Sequence, residues 1–141
     1  AQPYIQVMDS PGAKYAPAGE KKWQATASKS ELQAIFGKGA NIDAIRITRK
    51  GPSGRAIDIT AGDKTVKGYD LRMKLGSQRL KSTLISNISV QGNNVVFTGT
   101  GWGHGCGMAQ WGAYEMAKGG KTARQIVEYY FPKTRFFKAW K

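Results

Sequence analysis

The sequence predicts an α+β fold in which antiparallel strand pairs form a small sheet or partial barrel, with two to three short helices. Three observations carry this prediction. Alternating apolar and polar segments flank Gly/Pro/Asn turns at 42–60 and again at 84–98. A capping-box pattern, Ser28-Lys-Ser-Glu31, precedes apolar residues at i, i+3 and i+4. The composition, 40% hydrophobic and 11% aromatic over 141 residues, is globular and sufficient for a core.

Taken in order, Tyr4-Ile-Gln-Val-Met8 reads as a short strand ending in the turn Asp9-Ser-Pro-Gly12. Residues 13–22 read as a loop, and Trp23–Ser28 alternates as a second strand. From Ser28 a helix should run through Leu32, Ile35 and Phe36 and stop at Gly37. Ile42–Arg49 reads as a half-buried strand with Ile45 and Ile47 on one side. Gly51-Pro-Ser-Gly54 turns it back into Arg55–Thr60, and Gly62-Asp63 permits another turn before Thr65-Val66. Leu71 and Leu75 predict a short helix over 69–75 closed by Gly76. Strands at Leu84–Val90 and Val95–Thr98 are joined by Gly92-Asn-Asn94. Met108–Ala117 reads as a helix ended by Lys118-Gly-Gly120, and Thr122 caps another that ends before Tyr129.

Several classes are excluded early. The lone Cys106 rules out an intrachain disulfide framework and a Cys-based zinc ribbon. No apolar run approaches the roughly 20 residues of a membrane-spanning helix. The chain opens on Ala-Gln-Pro without an initiator Met, so a processed or truncated product is expected, with any export signal already gone. With 22 Lys+Arg against 9 Asp+Glu the net charge is +13, and it is unevenly placed. Residues 44–81 carry +7 and residues 118–141 carry +6, while 82–117 hold no Lys or Arg and only Glu115. Basic segments of this kind attract polyanions: nucleic acid, anionic headgroups or an acidic cell-wall polymer. No helix-turn-helix, zinc-finger or RNA-recognition pattern supports nucleic acid, so it is kept only as an alternative resting on charge.

Residues 99–107 place five glycines at alternate positions, which predicts an extended chain with one bare side and Trp102, His104 and Cys106 on the other. The Walker pattern fails because no Lys-Ser/Thr pair follows, and Cys106 breaks the dinucleotide fingerprint at its last glycine. His104 and Cys106 are too few ligands for a metal, so neither metal nor cofactor is expected. A nucleophilic Cys106 with His104 as base would need side chains that the i, i+2 spacing holds roughly 7 Å apart. His104 either fixes the glycine loop by hydrogen bonds or contacts substrate directly. Trp102, Trp111 and Tyr114 can form a sugar-stacking platform or pack in the core. Glu115 lies one turn after Trp111 on the same helix face, either as a solvated carboxylate or as a candidate acid.

The run Gly101-Trp-Gly-His-Gly-Cys-Gly-Met-Ala-Gln-Trp-Gly-Ala113, followed by Met116-Ala117 and Tyr129-Tyr-Phe-Pro132, resembles the C-terminal signature of the SpoIID/LytB family. Ser53-Gly-Arg55, Gly68, Leu71-Arg72, Leu75-Gly76 and Ser86-Asn87 agree with it, as do Pro3-Tyr-Ile-Gln and Asp9-Ser-Pro-Gly12. The resemblance covers nearly the whole chain. It implies a part of a peptidoglycan lytic transglycosylase, in which one Glu protonates the leaving oxygen while the sugar's own C6 hydroxyl attacks. The acidic motif that carries that Glu, and a Cys/His metal-binding stretch, belong to an N-terminal half that nothing in residues 1–141 resembles. The chain is therefore expected to be one C-terminal portion of such a domain, and Glu115 does not match the catalytic motif. Cys106 stands where the signature usually has an aliphatic residue, which argues against a catalytic thiol.

The expectation is a cell-wall protein, extracytoplasmic in the wall or periplasm, that acts on denuded glycan strands. The substrate-binding candidates are Trp102, His104, Gln110, Trp111 and Tyr114, with Arg55 and Arg72 for acidic wall groups. His104 and Glu115 are the catalytic candidates. Expected partners are glycan strands, the N-terminal half of the same protein and a cell-wall amidase. The alternative is a non-catalytic peptidoglycan-binding module of the amidase-enhancer type.

Overall fold

The structure, a computed structural model, describes residues 22–103, 108–135, 137 and 139. The strand and turn predicted at 4–12, the loop over 13–21, His104 and Cys106 lie outside the described residues. The chain divides into two compact bodies, one within Ala18–Gly105 and one that holds Cys106–Lys141.

The first body contains two antiparallel three-stranded sheets. Strands β1 (Lys22–Ser28), β5 (Ile85–Gln91) and β6 (Asn94–Thr100) form one, in the order β1-β6-β5. Strands β2 (Ile45–Lys50), β3 (Ala56–Ala61) and β4 (Lys64–Lys67) form the other, in sequence order. The α+β class is as expected, and neither sheet closes into a barrel. Trp23, Ala25 and Ala27 are the buried alternate residues of β1, the period-two pattern of a strand with one wet face. Strand β6 is flanked on both sides, and Val95, Val96 and Phe97 are all buried in it.

Helix α1 (Lys29–Phe36) starts where the sequence placed it. Ser28 Oγ accepts the Glu31 amide at 3.1 Å, and the Glu31 carboxylate accepts the Ser28 amide at 2.9 Å. The reciprocal cap satisfies two amides that the first turn would otherwise leave unpaired. Its apolar face buries Leu32 and Phe36. Helix α2 (Gly68–Leu75) buries Leu71 and Leu75 in the same core as Ile59, Ile85 and Phe97. Each such fully buried side chain contributes roughly 1.5–3 kcal/mol relative to exposure.

The expected strand at Ile42 begins three residues later, because Ile42–Ala44 forms a 3-10 turn closed by the Ala44 amide on the Asn41 carbonyl. That turn buries Ile42, whose apolar character reads as strand from sequence. The alternating-glycine reading also needs correction over 99–103. Gly99 lies within β6, opposite Trp23, where a Cβ would sit 2.3 Å from the indole ring. Gly101 and Gly103 have φ of 72° and 92°, so this stretch is not an extended chain with one bare side.

In the second body, α3 (Gln110–Lys118) starts two residues later than expected. Helix α4 (Ala123–Tyr130) opens on a capping box between Thr122 and Gln125. It continues through Tyr129 and Tyr130 instead of ending before them, because Tyr130 extends the buried stripe begun by Ile126. The described residues thus contain four α-helices, one at each helical segment read from the sequence.

Candidate functional site

The segment 81–84 laces the first body together. The Thr83 carbonyl accepts the Ala56 amide at 2.8 Å, tying the segment to β3. Ser82 is fully buried; its hydroxyl accepts from Trp23 Nε1 at 3.2 Å and donates to the Thr100 carbonyl at 2.7 Å. The Lys81 carbonyl accepts the Gly103 amide at 2.8 Å, beside a parallel bridge between Ser82 and Gly103. The glycine-rich stretch is therefore held by the same segment that holds β3.

A cleft of about 340 Å³ opens between the start of β3, the start of α2 and this segment. Arg55, Lys67, Tyr69, Asp70, Arg72 and Thr83 line it. Arg55 and Arg72, the two basic candidates read from the sequence, thus share one site. Arg72 is buried, and its Nε donates to the Leu80 carbonyl at 2.9 Å while Nη2 reaches the Lys81 carbonyl at 3.3 Å. The planar fork of a guanidinium spans two carbonyls in a way that an ammonium cannot. Arg72 thus positions the 80–81 turn and adds positive charge to the cleft wall.

Lys67 pairs with Asp58 at 2.7 Å, and Arg49 meets the other oxygen of that carboxylate at 2.6 Å. The Arg49 hydrogen bond, then that of Lys67, holds the Asp58 carboxyl down at about 2. On the same three strands the hydroxyls of Thr48, Thr60 and Thr65 form a chain at 2.9 and 2.8 Å. Lys67, Tyr69, Asp70 and Thr83 escaped the sequence reading. Tyr69 precedes the apolar positions that define the buried face of α2, and Lys67 is one cation among ten in its block.

Trp102 is 46% exposed, with Lys81 Nζ 4.9 Å from its ring centroid. In the second body Trp111 and Tyr114 meet edge to face at 6.2 Å on α3, and both remain exposed. Gln110 is exposed at the first position of α3, and Glu115 is half-buried one turn beyond Trp111. Among the described residues no group of three or more His, Cys, Asp and Glu could hold a metal ion. No described helix is long and apolar enough to cross a membrane.

These features define an α+β first body with a cationic cleft and an anchored glycine-rich stretch up to Gly103, and a second body whose α3 bears exposed aromatic residues. The chain belongs to the family described as a domain of unknown function (DUF8618), which matches residues 9–107. It is 34% identical to stage II sporulation protein D of Bacillus subtilis (strain 168) over 99% of this chain. The same protein of Bacillus amyloliquefaciens is 34% identical over 93%. An amidase enhancer of Bacillus subtilis (strain 168) is 34% identical over 50% of the chain and 10% of its own length. These are the two kinds of protein that the glycine-histidine signature resembles. The chain spans 39% and 37% of the length of the two sporulation proteins.

Proposed function

We propose that this chain is the C-terminal part of a peptidoglycan-acting protein of the stage II sporulation protein D type, one that engages denuded glycan strands outside the cytoplasm. The observation that carries the reading is the kinship over 99% of the chain, joined to the shared placement of Arg55 and Arg72 in one cleft. The chemistry is lytic transglycosylation: a Glu in the partnering N-terminal half protonates the leaving oxygen, and the C6 hydroxyl closes a 1,6-anhydro ring. The present residues supply binding, with Trp102, Gln110, Trp111 and Tyr114 along the glycan and His104 as a hydrogen-bonding contact.

The test is incubation with denuded glycan strands, with and without the N-terminal half, followed by mass spectrometry for anhydro-muramyl ends. Products are expected only when both halves are present. Products from residues 1–141 alone would overturn the assignment of the acid to the other half and point back to His104 or Glu115.

The kinship with an amidase enhancer favours a second reading, a non-catalytic wall-binding module that stimulates an amidase. Stimulation of a cell-wall amidase by a chain that yields no anhydro ends with either half would select it. Binding to nucleic acid rests on charge alone, and a salt-sensitive gel shift with sequence preference would be needed to support it.

A further inference from the structure

The cleft holds more chemistry than two arginines. Three cations line it, from Arg55, Lys67 and Arg72, against one carboxylate, Asp70. Arg72 is fixed by the Leu80 and Lys81 carbonyls, and Lys67 by Asp58, a carboxylate that Arg49 shares, so that trio keeps one net positive charge. Fixed cations recognise an anion at a lower ordering cost than mobile ones. Tyr69 belongs to the same wall and is 56% exposed, large for an aromatic ring on a folded domain. Helix α2 begins here without a side-chain cap, and Asp70 in its first turn offsets part of the positive field of its amide end.

We propose that this cleft is a subsite for an acidic sugar, a pyranose bearing a carboxylate, with the ring against Tyr69 and the carboxylate held by Arg55 and Lys67. Asp70 separates this ligand from a bare inorganic anion. A carboxylate among the cations lowers the net field that a dianion would need, while its oxygens accept from sugar hydroxyls, of which a pyranose carries several where hydrogen phosphate has only one. The volume lies near the lower end of the roughly 300–1,000 Å³ of small-molecule sites, which suits one substituted ring. The inference deepens the glycan reading and rests on it for the polymer that supplies the sugar: removing a stem peptide from muramic acid frees such a carboxylate.

Amide shifts measured during separate titrations with N-acetylmuramic acid, N-acetylglucosamine and sodium phosphate test the proposal. N-acetylmuramic acid should move the amides of Ala56, Ile57, Tyr69 and Asp70, and N-acetylglucosamine should leave them in place. Lys67→Met and Tyr69→Ala should each weaken the response on the order of tenfold, the worth of one charge-assisted bond or ring contact. Equal shifts with N-acetylglucosamine, equal shifts with phosphate, or no shifts at all would overturn it. Sedimentation with denuded glycan separates the two ideas. If glycan retains the chain and both variants equally, the cleft assignment fails and the wall reading stands. If glycan retains nothing while N-acetylmuramic acid still titrates the cleft, the wall reading fails and the subsite stands.

Discussion

Arg72 and Gly103 donate to the same acceptor, the carbonyl oxygen of Lys81, at 3.3 and 2.8 Å. One comes from the helix that walls the cleft and the other from the glycine-rich stretch of the family signature. The positive φ of Gly103 belongs to the backbone that makes this approach. The cleft and the signature are thus fastened to a single peptide group.

Replacing Arg72 by Met should remove both guanidinium bonds, leaving the Leu80 carbonyl without its guanidinium donor while the Lys81 carbonyl keeps the Gly103 amide. A loss of roughly 2–4 kcal/mol is expected in urea unfolding. Arg72→Lys should recover less than half, since one ammonium cannot span the Leu80 and Lys81 carbonyls. Full recovery by Lys would show that charge alone matters there.

Gly99→Ala should destabilise the first body by overpacking. The added methyl would lie 2.3 Å from the Trp23 ring and 2.6 Å from the Leu84 carbonyl. A cost of about 1–3 kcal/mol or more is expected, together with altered tryptophan fluorescence as the indole shifts off Ser82. Wild-type stability with unchanged emission would mean that β1 and β6 do not pack in the register observed.

Two depressed carboxyls set the response to acid. Glu31 is held at about 2 against an ordinary 4.5, first by its Arg79 hydrogen bond and then by the Ser28 amide. Asp58 is held at about 2 against 3.8, first by Arg49 and then by Lys67. Because each folded value lies below the unfolded one, the stabilisation is complete above the unfolded value and is lost as pH falls towards 2. Urea midpoints should therefore be level with respect to these groups above about pH 5 and decline from there to about pH 2. Arg79→Met should flatten part of that decline, and an unaltered slope would remove Glu31 from the account.

The aromatic pair on α3 gives a further expectation. Trp111→Ala and Tyr114→Ala should lower retention on glycan while changing stability by no more than about 1.5 kcal/mol, the range of an edge-to-face pair. Retention equal to wild type would remove α3 from the binding surface.

Much of this architecture was legible in local sequence. The Ser28–Glu31 cap, the hairpin turn at 51–54 and the stop at Gly76 are short-range signals whose chemistry lies within a few residues. What was not legible depends on distant partners. Nothing in the sequence near Trp23 announces that its indole will reach Ser82, 59 residues away, or that β1 will pair with β6. Arg72 read as a contact for acidic wall groups because its charge is visible in sequence, whereas the carbonyls that allow its burial are not. Lys67 and Tyr69 joined the site only once β4 and α2 had been placed beside Arg55.

The most direct test of the account is co-sedimentation of the chain with purified denuded glycan strands at moderate salt. The chain should pellet with the glycan and be released by soluble denuded fragments. A chain that stays in the supernatant at every glycan concentration would contradict it.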